Sequence, residues 1–163
     1  MLKYFCYNMR NRYDSEVAVT VKIVKLQQNA KIPTYGSTDA AGADLYACLE
    51  KPVSILPGQT VLIPTGLSME IEQGFAGFIY ARSGLATKRG LAPANKVGVI
   101  DCDYRGQVMV SLHNHSDAPQ YVEPGERVAQ MVFAPVYQAA FLEVDTLGET
   151  ERGTGGFGST GTK

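Results

Sequence analysis

Charge of one sign is what this chain lacks most plainly: 15 Lys and Arg stand against 16 Asp and Glu, a formal net charge of −1. A protein that grips long nucleic acid through its phosphates carries a basic excess, so that class is excluded and any bound anion must be met locally. Cysteine is scarce too. Cys6, Cys48 and Cys102 are an odd number without CxxC spacing, and the two histidines, His113 and His115, have no cysteines placed to complete a zinc site. Neither a disulfide framework nor a structural zinc centre is expected. No apolar run approaches the roughly eighteen residues of a membrane span, and the polar, charged start has no apolar stretch of a signal peptide or anchor. With 45% apolar and only 19% charged residues the chain is not disordered. The reading is a soluble globular protein of the reducing cytoplasm.

What is abundant is punctuation. The 163 residues amount to one domain and hold 17 Gly and 8 Pro, an excess of the kind that short strands need. Apolar residues fall on odd numbers from Val17 to Ile23, and the same period of two recurs at residues 43–49, 67–72 and 107–112, placing one face of each segment in a core. Ten glycines from Gly36 to Gly106, with Pro52, Pro57, Pro64 and Pro93 among them, separate these segments at regular intervals. The spacing predicts an all-β fold, a sandwich or barrel of jelly-roll type. One short helix is expected at residues 83–90, with a capping residue, Lys88 and Arg89 in the last turn and a terminal glycine. His113 and His115 read as strand residues, at and just past the end of a strand. The last thirteen residues hold five glycines, one aromatic and no aliphatic side chain, so they cannot bury a face of their own. The chain divides into an N-terminal extension (1–16), a β domain (17–150) and a mobile C-terminal arm (151–163).

Five segments carry chemistry. In the arm, Arg152, Gly153, Gly155, Gly156 and Gly158 with Ser159 and Thr160 combine bare amides, hydroxyls and a guanidinium, the parts that wrap an oligophosphate. No Gly-Lys-Ser/Thr follows, so this is not a Walker loop. A plain flexible tail fits the same composition, but the lone aromatic Phe157 suits stacking on a base. Residues 98–106 place Asp101 and Asp103 before Tyr104 and Arg105. In a hairpin the two carboxylates share one face and one can act as general base for water, while a charged β-turn fits equally well. Arg82, Ser83 and Gly84 open the helix, where an anion is favoured, though an ordinary serine N-cap is the commoner use. Arg127 and Gln130 alternate onto opposite faces of one strand, so only one of them easily reaches a given site. Asp44 follows a glycine turn into a strand.

In this order, Ala-Gly-Ala-Asp-Leu from Ala41, Arg-Ser-Gly-Leu-Ala from Arg82, Gly-Val-Ile-Asp-Cys-Asp-Tyr-Arg-Gly from Gly98, Arg-Val-Ala-Gln-Met from Arg127 and Arg-Gly-Thr-Gly-Gly-Phe-Gly-Ser-Thr-Gly from Arg152 resemble the five motifs of the homotrimeric dUTPase family. The resemblance runs from about Val19 to Gly161. Ala81, where many members have proline or glycine, and Cys102, at a variable position, are small departures. The residues before Val17 match nothing of the family core.

The resemblance implies a jelly-roll-like β-barrel (the dUTPase β-clip), a homotrimer with sites shared between subunits, and hydrolysis of dUTP to dUMP and pyrophosphate by water attack on the α-phosphorus. It makes Asp101 the base. Tyr104 lies under the deoxyribose, leaving no room for a 2′-hydroxyl, while Asn95 and the backbone near Val99 and Ile100 read the uracil. Arg82, Ser83, Gly84 and Gln130 contact phosphates, with Asp44 supporting them. Arg152, Gly158, Ser159 and Thr160 close on the γ-phosphate end and Phe157 covers the uracil. Mg2+ is held by substrate phosphates and water rather than by protein ligands. No nucleic acid or membrane partner is implied. Two alternatives share the fold: a dCTP deaminase, which uses a glutamate where Asp101 stands, and a non-catalytic regulatory trimer.

Overall fold

The structure is a computed structural model that describes residues 19–156. Its strands are β1 (Val21–Lys25), β2 (Thr34–Tyr35), β3 (Ala43–Tyr46), β4 (Val53–Ile55), β5 (Thr60–Ile71) and β6 (Phe75–Tyr80). The helix α1 (Ser83–Arg89) follows, then β7 (Leu91–Pro93), β8 (Gly98–Ile100), β9 (Gln107–Asn114), β10 (Gln120–Val122) and β11 (Arg127–Pro135). One sheet has the order β1-β5-β9-β7, another β2-β3-β11-β6-β8, and β10 with β4 forms a small third. Every pairing is antiparallel. This is the jelly-roll-like all-β fold expected, with its one short helix, but the sheets face each other without closing into a barrel. The consecutive strands β7 and β8 pair into different sheets, so among the described residues no ladder joins the two edges they form.

The period of two explains the core. Val108, Val110 and Leu112 of β9 and Leu67, Met69 and Ile71 of β5 all point inward and are buried, meeting Leu45, Val128 and Met131 of the facing sheet. Of the odd-numbered run ending at Ile23, Val21 and Ile23 lie half-buried in β1, while residues 17 and 18 fall outside the described residues. Between Pro64 and Ser68 the register of β5 against β9 shifts. Gly66 sits in that irregularity at φ 69°, and a Cβ there would come within 2.6 Å of Cys48 Sγ, so both the backbone and the packing require glycine. Pro64, which has no amide to donate, is placed at the same irregularity, where a strand tolerates it.

The alternation at residues 43–49 fails at two places. Asp44 and Cys48, expected on the outer face, are both buried. Cys48 Sγ lies 2.9 Å from Gln27 Oε1 and 3.1 Å from Asn29 Oδ1, so the loop after β1 covers it. Cys48 and Cys102 are free thiols. His113 lies in β9 as expected, though the strand runs one residue further to Asn114 and His115 follows that end; Thr60 Oγ1 is 2.8 Å from His113 Nδ1. Among the described residues, the last strand ends at Pro135. Beyond it the chain is exposed through residue 154, including Tyr137 and Phe141. No described helix is long and apolar enough to cross a membrane.

Candidate active site

Asp44 is buried because two guanidiniums take the place of its water. Arg82 Nε donates to Asp44 Oδ1 at 2.7 Å and Arg127 Nη1 to Oδ2 at 3.2 Å. A carboxylate removed from solvent is tolerated only when paired and hydrogen-bonded in this way. The pairing orients Arg82 where the chain passes from β6 into α1. Arg82, not Ser83, is the N-cap of α1, and no side chain caps that end. Ser83 is the first helical residue, so its expected use as an N-cap is replaced by an exposed position one residue further on. Gly90 ends the helix at φ 66°, as the terminal glycine predicted.

Simple alternation put Arg127 and Gln130 on opposite faces, and a β-bulge overturns that reading. Arg127 pairs with Tyr46, Ala129 with Leu45 and Gln130 with Asp44. One extra residue on β11 therefore restores the phase, and Arg127 and Gln130 share a face. Arg127 then reaches Asp44, while Gln130 Nε2 donates to Ala81 O at 2.9 Å, beside Arg82. A Cβ on Gly42 would lie 2.7 Å from Gln130 Oε1. The glycine of the first segment thus makes room for the glutamine of the fourth.

The segment around Asp101 is not a hairpin. β8 pairs with β6 and β9 with β5 and β7, so residues 101–106 cross from one sheet to the other. Asp101 and Asp103 are both exposed, and the turn is closed by Tyr104 N donating to Asp101 O at 3.2 Å. The Tyr104 ring lies folded over Gly106, where an added Cβ would come within 2.3 Å of its Oη, and that hydroxyl donates to Gln107 O at 3.1 Å. Asn95 is exposed in the turn between β7 and β8, next to Lys96 at φ 65°, and its Nδ2 lies close to Gly98. Val99 is exposed on β8.

These groups do not meet within one chain. Gly77 pairs with Ile100 and Ile79 with Gly98, so Asp101 lies at the start of β6 and Arg82 beyond its end. Extended chain from Ala76 to Arg82 spans roughly 20 Å. Asp44, Arg82, Arg127 and Gln130 form one cluster, and Asp101 with Tyr104 another. Arg152 is exposed in a local turn, donating through Nε to Gly155 O at 2.7 Å. Phe157, Gly158, Ser159 and Thr160 lie outside the described residues. Sequence reasoning missed the partnership of Arg127 with Asp44, since a bulge leaves no mark in a hydrophobic pattern. It also left Arg105 without a role.

The dUTPase family model matches residues 28–161. A protein of Desulfitobacterium hafniense named deoxyuridine 5′-triphosphate nucleotidohydrolase is 49% identical over 148 residues, covering 90% of this chain and 98% of that one. The dUTPase of Staphylococcus bacteriophage 80alpha, solved with dUPNHPP, superposes with a TM-score of 0.79 at 26% identity, covering 87% of this chain and 98% of the phage protein. A dUTPase variant from phage phi11 of S. aureus, whose structure reveals the coordination of a structural Mg(II) ion, has a TM-score of 0.70 at 23% identity and covers 78% of this chain and 97% of its own. A match over most of the chain by the family model, joined to near-half identity with a full-length relative, shows that this chain belongs to the dUTPase family.

Proposed function

We propose that this protein is a dUTP diphosphatase, hydrolysing dUTP to dUMP and pyrophosphate and so lowering dUTP while supplying dUMP. The observation that carries the reading is the loop at residues 101–106, which in a dUTPase chain presents an exposed carboxylate, Asp101, beside a tyrosine ring laid over Gly106. Asp101 takes a proton from the attacking water as the α-phosphorus gains the new oxygen and releases pyrophosphate. A base of this kind is worth about a hundredfold to ten-thousandfold. Tyr104 supports the deoxyribose and fills the space of a 2′-hydroxyl. Asn95 and the backbone at Val99 read the uracil edge.

Arg82, Ser83, Gly84 and Gln130 hold the phosphates, with Asp44 keeping Arg82 oriented by the 2.7 Å contact. From the arm, Arg152, Gly158, Ser159 and Thr160 close on the γ-phosphate end and Phe157 stacks on the base, excluding all water but the nucleophile. The donors fit a Mg2+ held by substrate phosphates and water: Asp44 already gives both oxygens to arginines, and no three His, Cys, Asp or Glu side chains converge among the described residues. When bound, the ion neutralises charge on the triphosphate.

The 20 Å separation along β6 supports a homotrimer in which Asp101 of one chain meets Arg82 of another. The body comprises residues 17–150, with residues 1–16 as an extension and 151–163 as the closing arm, and the protein works in the cytoplasm. Pyrophosphate release from dUTP with Mg2+ is the deciding experiment. Ammonia release from dCTP would instead favour the deaminase, and neither product the non-catalytic trimer. Refolding a mixture of Asp101→Asn with a chain truncated before Glu151 tests the sharing. If the arm of one chain serves the Asp101 of another, about a quarter of sites regain both parts on random assembly. A mixture that stays inactive would place both elements in the same chain's site.

A further inference from the structure

We propose that Arg105 is a positioning residue that sets the loop carrying Asp101 and Tyr104, and that Glu70 on β5 holds it in place. The proposal rests on the reading of this site as a dUTP-hydrolysing one. Loop residues 101–106 belong to no ladder, since β8 ends at Ile100 and β9 begins at Gln107. Something else must fix them. Arg105 Nη1 donates to Cys102 O at 2.7 Å and to Tyr104 O at 3.0 Å, so one nitrogen ties together the carbonyls on either side of Asp103.

The guanidinium is itself held. Its Nη2 lies 3.8 Å from Glu70 Oε2, while Glu70 Oε1 accepts from Lys22 Nζ of β1 at 2.6 Å. That hydrogen bond and the charge of Lys22 keep the Glu70 carboxyl below its usual range and ionised. Arg105 is also anchored through its backbone, because Ser68 Oγ donates to Arg105 O at 2.7 Å. Ser68 and Glu70, two apart on β5, share one face of that strand. Two neighbouring residues of a core strand thereby grip one loop residue by carbonyl and side chain. A groove of about 930 Å3 is lined by Lys22, Glu70, Arg105, Asp101, Cys102 and Asp103 together, so clamp and base border the same space.

The exposure of this clamp decides what it does. Arg105 and Glu70 side chains are about half accessible, and ion pairs of that kind contribute little to global stability. Their effect is local: they choose one geometry for a loop that would otherwise have several. Misplacing reacting groups by about 1 Å can cost a hundredfold in rate, which is where loss of the clamp registers.

The test uses the full chain with Arg105→Met, Arg105→Lys and Glu70→Gln. Three readouts are taken: kcat and KM for dUTP, the preference for dUTP over UTP, and the rate of Cys102 alkylation by iodoacetamide followed by peptide mass. For Arg105→Met, kcat falls about tenfold to a hundredfold, the preference for dUTP drops as Tyr104 loses its place, and Cys102 reacts faster. Arg105→Lys recovers part of each. Glu70→Gln moves all three in the same direction by a smaller factor, with the melting temperature nearly unchanged. Unchanged kcat, nucleotide preference and alkylation in both Arg105→Met and Glu70→Gln would overturn the clamp. Should Arg105→Met fail to fold, Glu70→Gln decides, since it leaves every contact within the loop. If the wild type does not hydrolyse dUTP, the proposed activity fails, and the Cys102 rate alone then decides the clamp: faster supports it and unchanged removes it.

Discussion

The two ends of β6 are built by opposite means. Past its last residue, Arg82 at the start of α1 is locked against a buried Asp44 that Arg127 also holds, and the register of β11 against β3 fixes Asp44 and Arg127. Beside its first residue, Asp101 stands exposed on an inter-sheet loop closed only by hydrogen bonds of its own residues and a gripping β5. The difference follows from the work proposed for each. Binding phosphate needs positive charge held at fixed points, and a desolvated carboxylate between guanidiniums supplies that rigidity. Activating water needs an accessible base, which a desolvated ion-pair cluster could not offer. One end is preorganised by burial, and the other is held by exposed contacts that leave its carboxylate in solvent.

Four experiments break or sharpen this contrast. The largest effect belongs to the exposed end, where Asp101→Asn lowers kcat by about a hundredfold to ten-thousandfold. Because that side chain is in solvent, the melting temperature stays put, and a large thermal shift would refute the division of labour. At the buried end Asp44→Ala does both kinds of damage. It leaves two arginines without their carboxylate and costs about 2–3 kcal/mol, less than for a fully buried pair because Arg82 and Arg127 keep contact with water. That corresponds to a fall of roughly 5–10 °C in calorimetry, with weaker nucleotide binding.

Gly106→Ala acts on the loop without touching a charged group. The new methyl displaces the Tyr104 ring, so the use of UTP relative to dUTP rises several-fold, about 1 kcal/mol of lost discrimination. Equal discrimination in Gly106→Ala and wild type would mean that the ring does not exclude the 2′-hydroxyl. The smallest effect is thermal and lies away from both ends. His115 is held below its ordinary pKa by partial desolvation, then by His113 and Lys96. The unfolded chain therefore binds this proton more readily than the native one, and stability present above about pH 6.5 is lost as pH falls through the native value. A melting temperature that declines slightly between pH 7.5 and 5.5, and declines less in His115→Gln, is the expected result.

Much of this was legible in residue order. The inward residues of β5 and β9 followed from a period of two, since a strand has only two faces. The short helix and its left-handed terminal glycine followed from local signals that need no tertiary partner. The segments around Asp44, Arg82, Asp101, Arg127 and Arg152 were recognisable because their residue types are chemically unusual together. Illegible were the features that depend on what lies opposite. Asp44 looked like an outward residue until Arg82 and Arg127 converged on it from α1's start and β11. Arg127 and Gln130 seemed to diverge until a bulge against β3 brought them to one face. Arg105 gained a part only when β5 was found beneath its loop.

By itself, then, the sequence determined that the segments of β1, β3, β5, β9 and β11 are strands, which residues are chemically equipped, and the family they belong to, because periodicity, turn chemistry and motif spacing are properties of the chain read locally. Tertiary structure alone decided that the sheets stay open, that a carboxylate could be buried, and that Asp101 and Arg82 lie at opposite ends of β6. Each of these depends on pairing between residues far apart in the chain, and register is set by the sum of many contacts rather than by any one segment.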